Sequence, residues 1–169
     1  MKTLYLLRHA KSDWGDSSLK DFDRPLNERG RKAAKAIGRE MRERDMAPDA
    51  VFVSPAVRTK ETLARAEEGF GKSLHGVENR AIYLAETGTL IDLIRAAPAE
   101  AGRMMIVGHN PGMHELAITL AAGPAELREE VAHKFPTAAL AEISFDVDDW
   151  KDIAPGSGRL RSFVKPRDL

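Results

Sequence analysis

The sequence predicts an α/β fold with three layers, in which helices cover a mainly parallel central sheet that carries an antiparallel edge. Three observations favour this class. Short apolar runs alternate along the chain with segments of helical periodicity. These runs lack the polar alternation of a half-exposed strand, which indicates that both faces of the sheet are covered. A turn-rich stretch separates two final apolar runs and indicates a hairpin. The length of 169 residues fits a single domain over residues 1–169.

The first half of the chain predicts two strands, each followed by a helix. Residues 3–7 form the first strand, and a polar loop leads to Asn27, the predicted N-cap of the first helix. Residues 51–53 form the second strand. Ser54-Pro55 follows it directly, as a predicted N-cap with proline at the first helical position. This helix is expected to run to about residue 68 and to end at the following glycines.

A second strand-and-helix series follows. A weaker strand is predicted near residues 75–79, before a helix capped by Thr87 or Thr89. Residues 104–107 form the next strand, and Asn110-Pro111 repeats the pattern of a cap followed by proline. The helix behind it is expected to stop at Gly123-Pro124. After it come a charged segment at 127–134 and the two hairpin strands, at 138–145 and 159–164.

Composition excludes several classes of function. Lysine plus arginine equals aspartate plus glutamate, at 26 each, so the net charge gives no sign of binding to nucleic acid or to a membrane. The chain has no cysteine, which removes disulfides, thiolate catalysis and cysteine-based zinc sites. The amino-terminal apolar run is too short for a signal peptide. We therefore expect a cytoplasmic protein that needs no metal and no other cofactor.

Chemically active side chains follow three of the predicted strands at their carboxyl ends. Arg8 and His9 follow the first strand, Arg58 lies just after the second, and His109 follows the strand at 104–107. Open α/β sheets bind ligands outside the carboxyl ends of their strands. The sequence therefore predicts that these two histidines and two arginines meet at one edge of the sheet.

Such a cluster suits a phosphoryl group. The guanidinium groups of Arg8 and Arg58 match phosphoryl oxygens with paired hydrogen bonds, and the amino termini of the helices after Ser54 and Asn110 add positive dipole ends. Neighbouring arginines disfavour a protonated His9, which then keeps a lone pair for attack on phosphorus. His109 is expected to donate a hydrogen bond to a phosphoryl oxygen as charge builds there.

Four segments, in order, resemble the histidine phosphatase superfamily, which includes the phosphoglycerate mutases. Leu7-Arg8-His9-Ala10 resembles its Arg-His-Gly signature, and the segment 24–30, which reads RPLNERG, is similar to its Pro-Leu-x-x-x-Gly segment. Residues 53–59, ahead of Glu61-Thr62, resemble its Ser-x-x-x-Arg segment, and residues 107–110 resemble its second catalytic histidine. The resemblance covers about residues 3–120. It implies a phosphoglycerate mutase-like fold and a phosphatase that acts through a phospho-His9 intermediate.

The sequence departs from the family pattern at two places, and the second narrows the expected substrate. Ala10 replaces the usual glycine, and the general acid of many members has only Glu86 as a candidate, with Asp13 and Asp16 as weaker ones. A phosphohistidine substrate needs an acid less than an alcohol ester does, because imidazole departs more easily than an alkoxide. The short spacing from Arg58 to His109 leaves no room for a large lid. Together these features resemble the short phosphohistidine phosphatase, or SixA-like, branch, and imply a phosphorylated protein as substrate.

Alternatives stay open at this point. The chain could hydrolyse a small phosphate ester with Glu86 as general acid, act as a mutase, or bind a phosphoanion without turnover. Ser12 and Glu86 are predicted to contact the substrate, with Lys11 and Trp14 as further possible contacts. The spacing of His109 and His114 is not that of a zinc-binding helix, so no metal site is predicted.

Overall fold

The computed structural model describes all residues, 1–169, as seven strands and five helices. The strands are β1 Lys2–Arg8, β2 Ala50–Val53, β3 Val77–Glu78, β4 Arg103–Gly108, β5 Ala121–Gly123, β6 Leu140–Phe145 and β7 Gly158–Val164. The helices are α1 Glu28–Glu43, α2 Val57–Phe70, α3 Thr87–Arg95, α4 Gly112–Leu120 and α5 Ala125–His133. No helix combines the length and the apolar character that a membrane crossing requires.

All seven strands form one sheet, in the order β3-β2-β4-β1-β6-β7-β5. β1 pairs in parallel with β4, and β2 pairs in parallel with β4 and β3. β6 runs antiparallel to both β1 and β7, whereas β5 is parallel to β7. The α/β class and the predicted hairpin are confirmed. β6, the one antiparallel strand, lies inside the sheet between β1 and β7, and β5, which the sequence did not predict, covers the outer edge of β7.

Hydrophobic cores cover both faces of the sheet. Along β1, Leu4 and Leu6 belong to a core of 24 buried residues that also contains apolar residues of α3, α4 and α5. Tyr5 and Leu7 belong to a core of 18 residues on the other face, which includes apolar residues of α1 and α2. Successive side chains of a strand point to opposite faces, so this apolar run fills both cores.

The helix starts differ from the predicted caps at three places. Asn27 caps α1 as predicted, and its Oδ1 accepts a hydrogen bond of 2.8 Å from Gly30 N. Neither Ser54 nor Asn110 caps its helix: Ser54 Oγ bonds His109, and Asn110 Nδ2 donates to the carbonyl of Phe135 while its Oδ1 has no partner. α2 and α4 begin later, at Val57 and Gly112. Neither Thr87 nor Thr89 caps α3, whose N-cap position is held by Glu86.

The second half of the chain contains two further differences. The predicted charged segment is part of helix α5, and α4 ends at Leu120 rather than at Gly123-Pro124. The chain leaves α4 early because Ala121 and Gly123 pair with β7. Backbone hydrogen bonding to a neighbouring strand therefore overrides the local helical pattern at this point.

Candidate active site

The predicted histidines and arginines meet at the carboxyl ends of three adjacent strands. β1 ends at Arg8, which lies opposite Gly108 of β4, and His9 and His109 follow these two residues directly. The centroids of the two imidazole rings lie 5.5 Å apart. Arg58, in the first turn of α2, is buried beside them with 3% of its surface exposed. The parallel pairing of β1 with β4 therefore brings together two histidines that are far apart in the sequence.

His9 is held as a neutral imidazole with one defined tautomer. Its ring is buried, and Nδ1 lies 2.7 Å from the carbonyl oxygen of Ala10. A carbonyl oxygen only accepts, so Nδ1 carries the proton and Nε2 keeps a lone pair. Burial lowers the pKa of His9 to about 4, and the charges of Arg58 and Arg8 add to this effect, against the opposing influence of the Ala10 bond.

His109 is bonded through one ring nitrogen, and its other ring nitrogen has no partner. Its Nε2 lies 2.7 Å from Ser54 Oγ, which also accepts a hydrogen bond of 3.3 Å from Ala56 N. A serine oxygen can accept two hydrogen bonds, so Nε2 either donates to Ser54 Oγ or accepts its hydroxyl proton, and in the second case the ring proton is on Nδ1. That Nδ1 is buried and has no partner. Burial, followed by the charge of Arg58, lowers the pKa of His109 to about 3.

Three arginines surround the histidines with incompletely used donors. Arg8 Nη1 donates to the carbonyl of Phe135 at 3.0 Å, and Arg58 Nη1 donates to the carbonyl of Asp21 at 2.8 Å. Arg24 donates to Ser12 Oγ, and its guanidinium lies 3.5 Å from the ring centroid of Trp14. The buried Nε atoms of Arg8, Arg24 and Arg58 have no hydrogen-bond partner. Arg65 Nε, outside the cavity, also has no partner, so the feature that favours an anionic ligand is the convergence of three such arginines on one cavity.

Asp21 links two of these arginines to a tyrosine. Its carboxylate accepts hydrogen bonds from Arg58 Nη2 and Arg24 Nη2, each at 3.0 Å, and from Tyr83 Oη at 2.6 Å. Burial opposes ionisation of Asp21, but the hydrogen bonds from Tyr83, Arg24 and Arg58 outweigh it and hold the pKa of this carboxyl well below its usual value. Asp21 is therefore a fixed anion that orients Arg58, rather than a proton donor.

The cavity at this site has a volume of about 420 Å³ and a cationic lining. Its lining residues are Arg8, His9, Lys11, Ser12, Trp14, Arg24, Arg58, Asn110, Lys134, Pro136 and Thr137. Five of them are lysine or arginine and none is a carboxylate. A tetrahedral dianion in this cavity would meet positive charge and free N–H donors.

The remaining predicted residues lie in different places. Ser12 is buried in the cavity wall, where it accepts the hydrogen bond from Arg24. Glu86 is exposed at the N-cap position of α3, makes no side-chain cap hydrogen bond and does not line the cavity. Asp13 and Asp16 are exposed, and their carboxylates accept bonds within their own loop, from Gly15 N and Ser18. No group of three or more histidine, aspartate or glutamate side chains is arranged to hold a metal ion.

Sequence reasoning missed the roles of four residues at the site. Arg24 lies in segment 24–30, which resembles the family pattern, and Asp21 lies three positions before it. Closeness to this segment was therefore the sequence signal that could have identified both residues. Ser54 was interpreted as a helix cap. Tyr83, whose ring packs edge-on against His109 with centroids 5.4 Å apart, had no signal in the sequence.

Comparisons with known proteins agree with this geometry. A family model described as the histidine phosphatase superfamily, branch 1, matches residues 4–86. An uncharacterized protein of Mycobacterium tuberculosis is 35% identical over 95% of this chain and 100% of its own length. A protein of Agrobacterium tumefaciens assigned as phosphohistidine phosphatase SixA is 32% identical, with a TM-score of 0.81 and 98% of each chain covered. A protein of Nakamurella multipartitia with the same assignment is 29% identical, with a TM-score of 0.85 over 98% of this chain and 96% of its own.

Proposed function

We propose, from the premise that this chain belongs to the histidine phosphatase superfamily, that it hydrolyses phosphohistidine in a protein and that His9 is its nucleophile. The chain is a phosphatase of the histidine-nucleophile class with the predicted phosphoglycerate mutase-like fold. The observation that carries the assignment to His9 is its tautomer: Nδ1 is bonded to the Ala10 carbonyl, which leaves the Nε2 lone pair for phosphorus.

The first step transfers the phosphoryl group to His9. Nε2 attacks phosphorus in line, a new N–P bond forms, and the N–P bond of the substrate breaks. The substrate imidazole leaves as a neutral ring when its other nitrogen carries a proton. Arg8 and Arg58 hold the equatorial oxygens, and His109, in the tautomer that carries its proton on the unpartnered Nδ1, donates to one of them as charge builds there.

The second step returns His9 to its starting state. Water attacks phosphorus, the N–P bond to Nε2 breaks, and the bonding pair returns to that nitrogen. Because Nδ1 keeps its proton on the Ala10 carbonyl throughout, the ring leaves as neutral imidazole. The proton lost by the attacking water stays with the phosphate product, so no additional base is required.

The composition of the cavity supports a phosphoramidate substrate. An alkoxide leaving group needs a positioned acid, whereas a ring-protonated imidazole does not. The cavity lining contains no carboxylate, and Glu86 is exposed outside it. Two solved structures that resemble this chain are assigned as phosphohistidine phosphatases. A cytoplasmic location remains a prediction from the sequence.

The experiment that tests this proposal compares a phosphohistidine peptide with a small phosphate ester. We expect kcat/KM to be at least about 100-fold higher for the peptide, and His9→Ala to lower turnover by at least about 10³-fold. Acid-quenched enzyme is expected to carry a labelled, acid-labile phosphoryl group on His9. His114→Ala is the matched control, because His114 bonds the carbonyl of Val131 away from the cavity.

Three outcomes would contradict the proposal. Full activity of His9→Ala would exclude His9 as the nucleophile. A preference for the phosphate ester that Glu86→Gln abolishes would instead support the small-molecule alternative with Glu86 as general acid. Absence of turnover on both substrates, with tight phosphate binding, would favour a phosphoanion-binding module.

A further inference from the structure

A second cavity adjoins the candidate active site. It has a volume of about 220 Å³ and shares Lys11, Pro136 and Thr137 with the first cavity. Its other lining residues are Arg29, Ala33, Lys165, Pro166 and Arg167. The two cavities therefore lie side by side, and together they make up a groove from His9 past Thr137 to the first turn of α1 and the last turn of the chain.

Charge is strongly segregated along this groove. Its lining residues include eight lysines and arginines and no carboxylate, although the chain as a whole has 26 basic and 26 acidic residues. Carboxylates lie just outside the lining, where Glu130 and Asp168 contact Lys165 and Arg167. The eight are Arg8, Lys11, Arg24, Arg29, Arg58, Lys134, Lys165 and Arg167. A groove lined by one sign of charge concentrates ligands of the opposite sign.

The cations of the second cavity differ from those around His9. Lys11 and Arg29 are exposed and make no ion pair. Lys165 is buried and already paired, with Glu130 at 3.1 Å and Asp168 at 3.9 Å. Arg167 is exposed and lies 3.8 Å from Asp168. None of these four has a buried donor without a partner, unlike the three arginines around His9.

We propose that the second cavity binds an acidic segment of the protein substrate, beside its phosphohistidine. This proposal rests on the proposed function, and it means that the enzyme selects substrates with acidic residues near the phosphohistidine. The dispersed, exposed cations Lys11, Arg29 and Arg167 suit carboxylates spread along a chain, because each contact is weak and the attraction is shared. A second compact phosphate would instead require converging buried donors, which only the first cavity has.

The test uses two phosphohistidine peptides of equal length, one flanked by glutamates and one by glutamines. We expect the acidic peptide to have a kcat/KM about tenfold higher at low ionic strength, and about 0.5 M salt to remove most of this advantage, because salt screens exposed charges. Arg29→Gln combined with Arg167→Gln should abolish the preference without lowering kcat/KM for phosphoramidate, which is too small to reach the second cavity. Arg159→Gln is the matched control, since Arg159 is an exposed arginine at the amino end of β7.

The outcomes separate this inference from the proposed function. Equal kcat/KM for both peptides would overturn the acidic-segment proposal and leave the phosphatase assignment intact. If neither peptide is hydrolysed, binding of the acidic peptide can still be measured. Binding that depends on Arg29 and Arg167 but not on Arg159 would support the acidic-segment proposal, and absence of binding would overturn it. Stronger inhibition by inorganic diphosphate than by the acidic peptide, lost in the double variant, would assign the cavity to a second phosphate instead.

Discussion

The two ends of the sheet both bury cations, but they use them differently. At the amino end, Lys2 is 6% exposed and its Nζ donates to the carbonyls of Ala99 and Ala101, beside the ring of Trp150. Trp150 Nε1 donates to Ala101 as well, at 2.7 Å. At the carboxyl end, Arg8 and Arg58 retain buried Nε groups with no partner.

This difference separates a structural polar cluster from a candidate ligand site. A buried charge whose hydrogen bonds are complete holds the chain together, whereas buried donors without partners cost free energy until a ligand binds. Burial and charge alone would not distinguish Lys2 from Arg58. The two residues are distinguished by whether their buried donors have hydrogen-bond partners, and substitutions at the two ends of the sheet can test this difference.

The largest effect is expected from Arg58→Met. It removes a donor to the phosphoryl group, so we expect kcat/KM to fall by about 10³-fold. The free energy of unfolding should fall by about 1–3 kcal/mol, because Asp21 loses two hydrogen bonds from Arg58 while its half-exposed carboxylate stays solvated. Steady-state kinetics and urea denaturation provide the two measurements. A large loss of stability with intact kcat/KM would make Arg58 structural and remove the contrast with Lys2.

The pH dependence of stability is the next test, because only the carboxyl end contains buried neutral histidines. The pKa of His9 is about 4 and that of His109 about 3 in the folded chain, below the ordinary value of 6.5. The unfolded chain therefore binds more protons between these values. The stability that the folded state owes to keeping these two histidines neutral is fully present above pH 6.5. It is lost as the pH falls from there through 4 and then 3.

Thermal unfolding measured from about pH 7 to about pH 4 checks this expectation. Tm should fall with pH, and the fall should be shallower in the variant that combines His9→Asn with His109→Asn. Lys2→Met serves as the control, and its Tm should change with pH as steeply as that of the unsubstituted protein. An unchanged slope in the histidine variant would show that the two rings do not titrate as their burial implies.

A smaller effect is expected at the amino end. Lys2→Met removes the donor to Ala99 and Ala101, so we expect the free energy of unfolding to fall by about 1–2 kcal/mol. Turnover should not change, because the substitution lies at the opposite end of β1 from His9. Urea denaturation and kcat report the two quantities, and a parallel loss of kcat would show that the two ends are coupled.

The smallest effect in this series is expected from Asp21→Asn. The amide keeps the shape of the side chain but loses the charge that orients Arg58, so we expect kcat to fall about tenfold while KM does not rise. Asp23→Asn is the matched control, because Asp23 is an exposed aspartate of the same turn. Equal kcat in both variants would leave Arg58 oriented by the rest of its surroundings.

The sequence predicted the site residues that directly follow strands and missed those that lie in irregular segments. Arg8, His9 and His109 follow apolar strands, and parallel pairing then brings them together. Asp21 and Tyr83 reach the site through the packing of two irregular segments, which no periodicity reports. The same limit explains the incorrect caps: Ser54 fits the local pattern of an N-cap, but a histidine distant in the sequence uses its hydroxyl.

β1 is hydrogen-bonded along both edges, by β4 and by β6, and Leu4, Leu6 and Leu7 within it are fully buried. Amides in such a strand exchange with solvent only when the whole protein unfolds, whereas exposed loops open far more often. Residues 13–21, which end at Asp21, are exposed. In deuterium exchange, the amides of the strand that carries the imidazole should therefore be the last to exchange and those of residues 13–21 among the first, so the nucleophile is attached to the most slowly opening part of the fold.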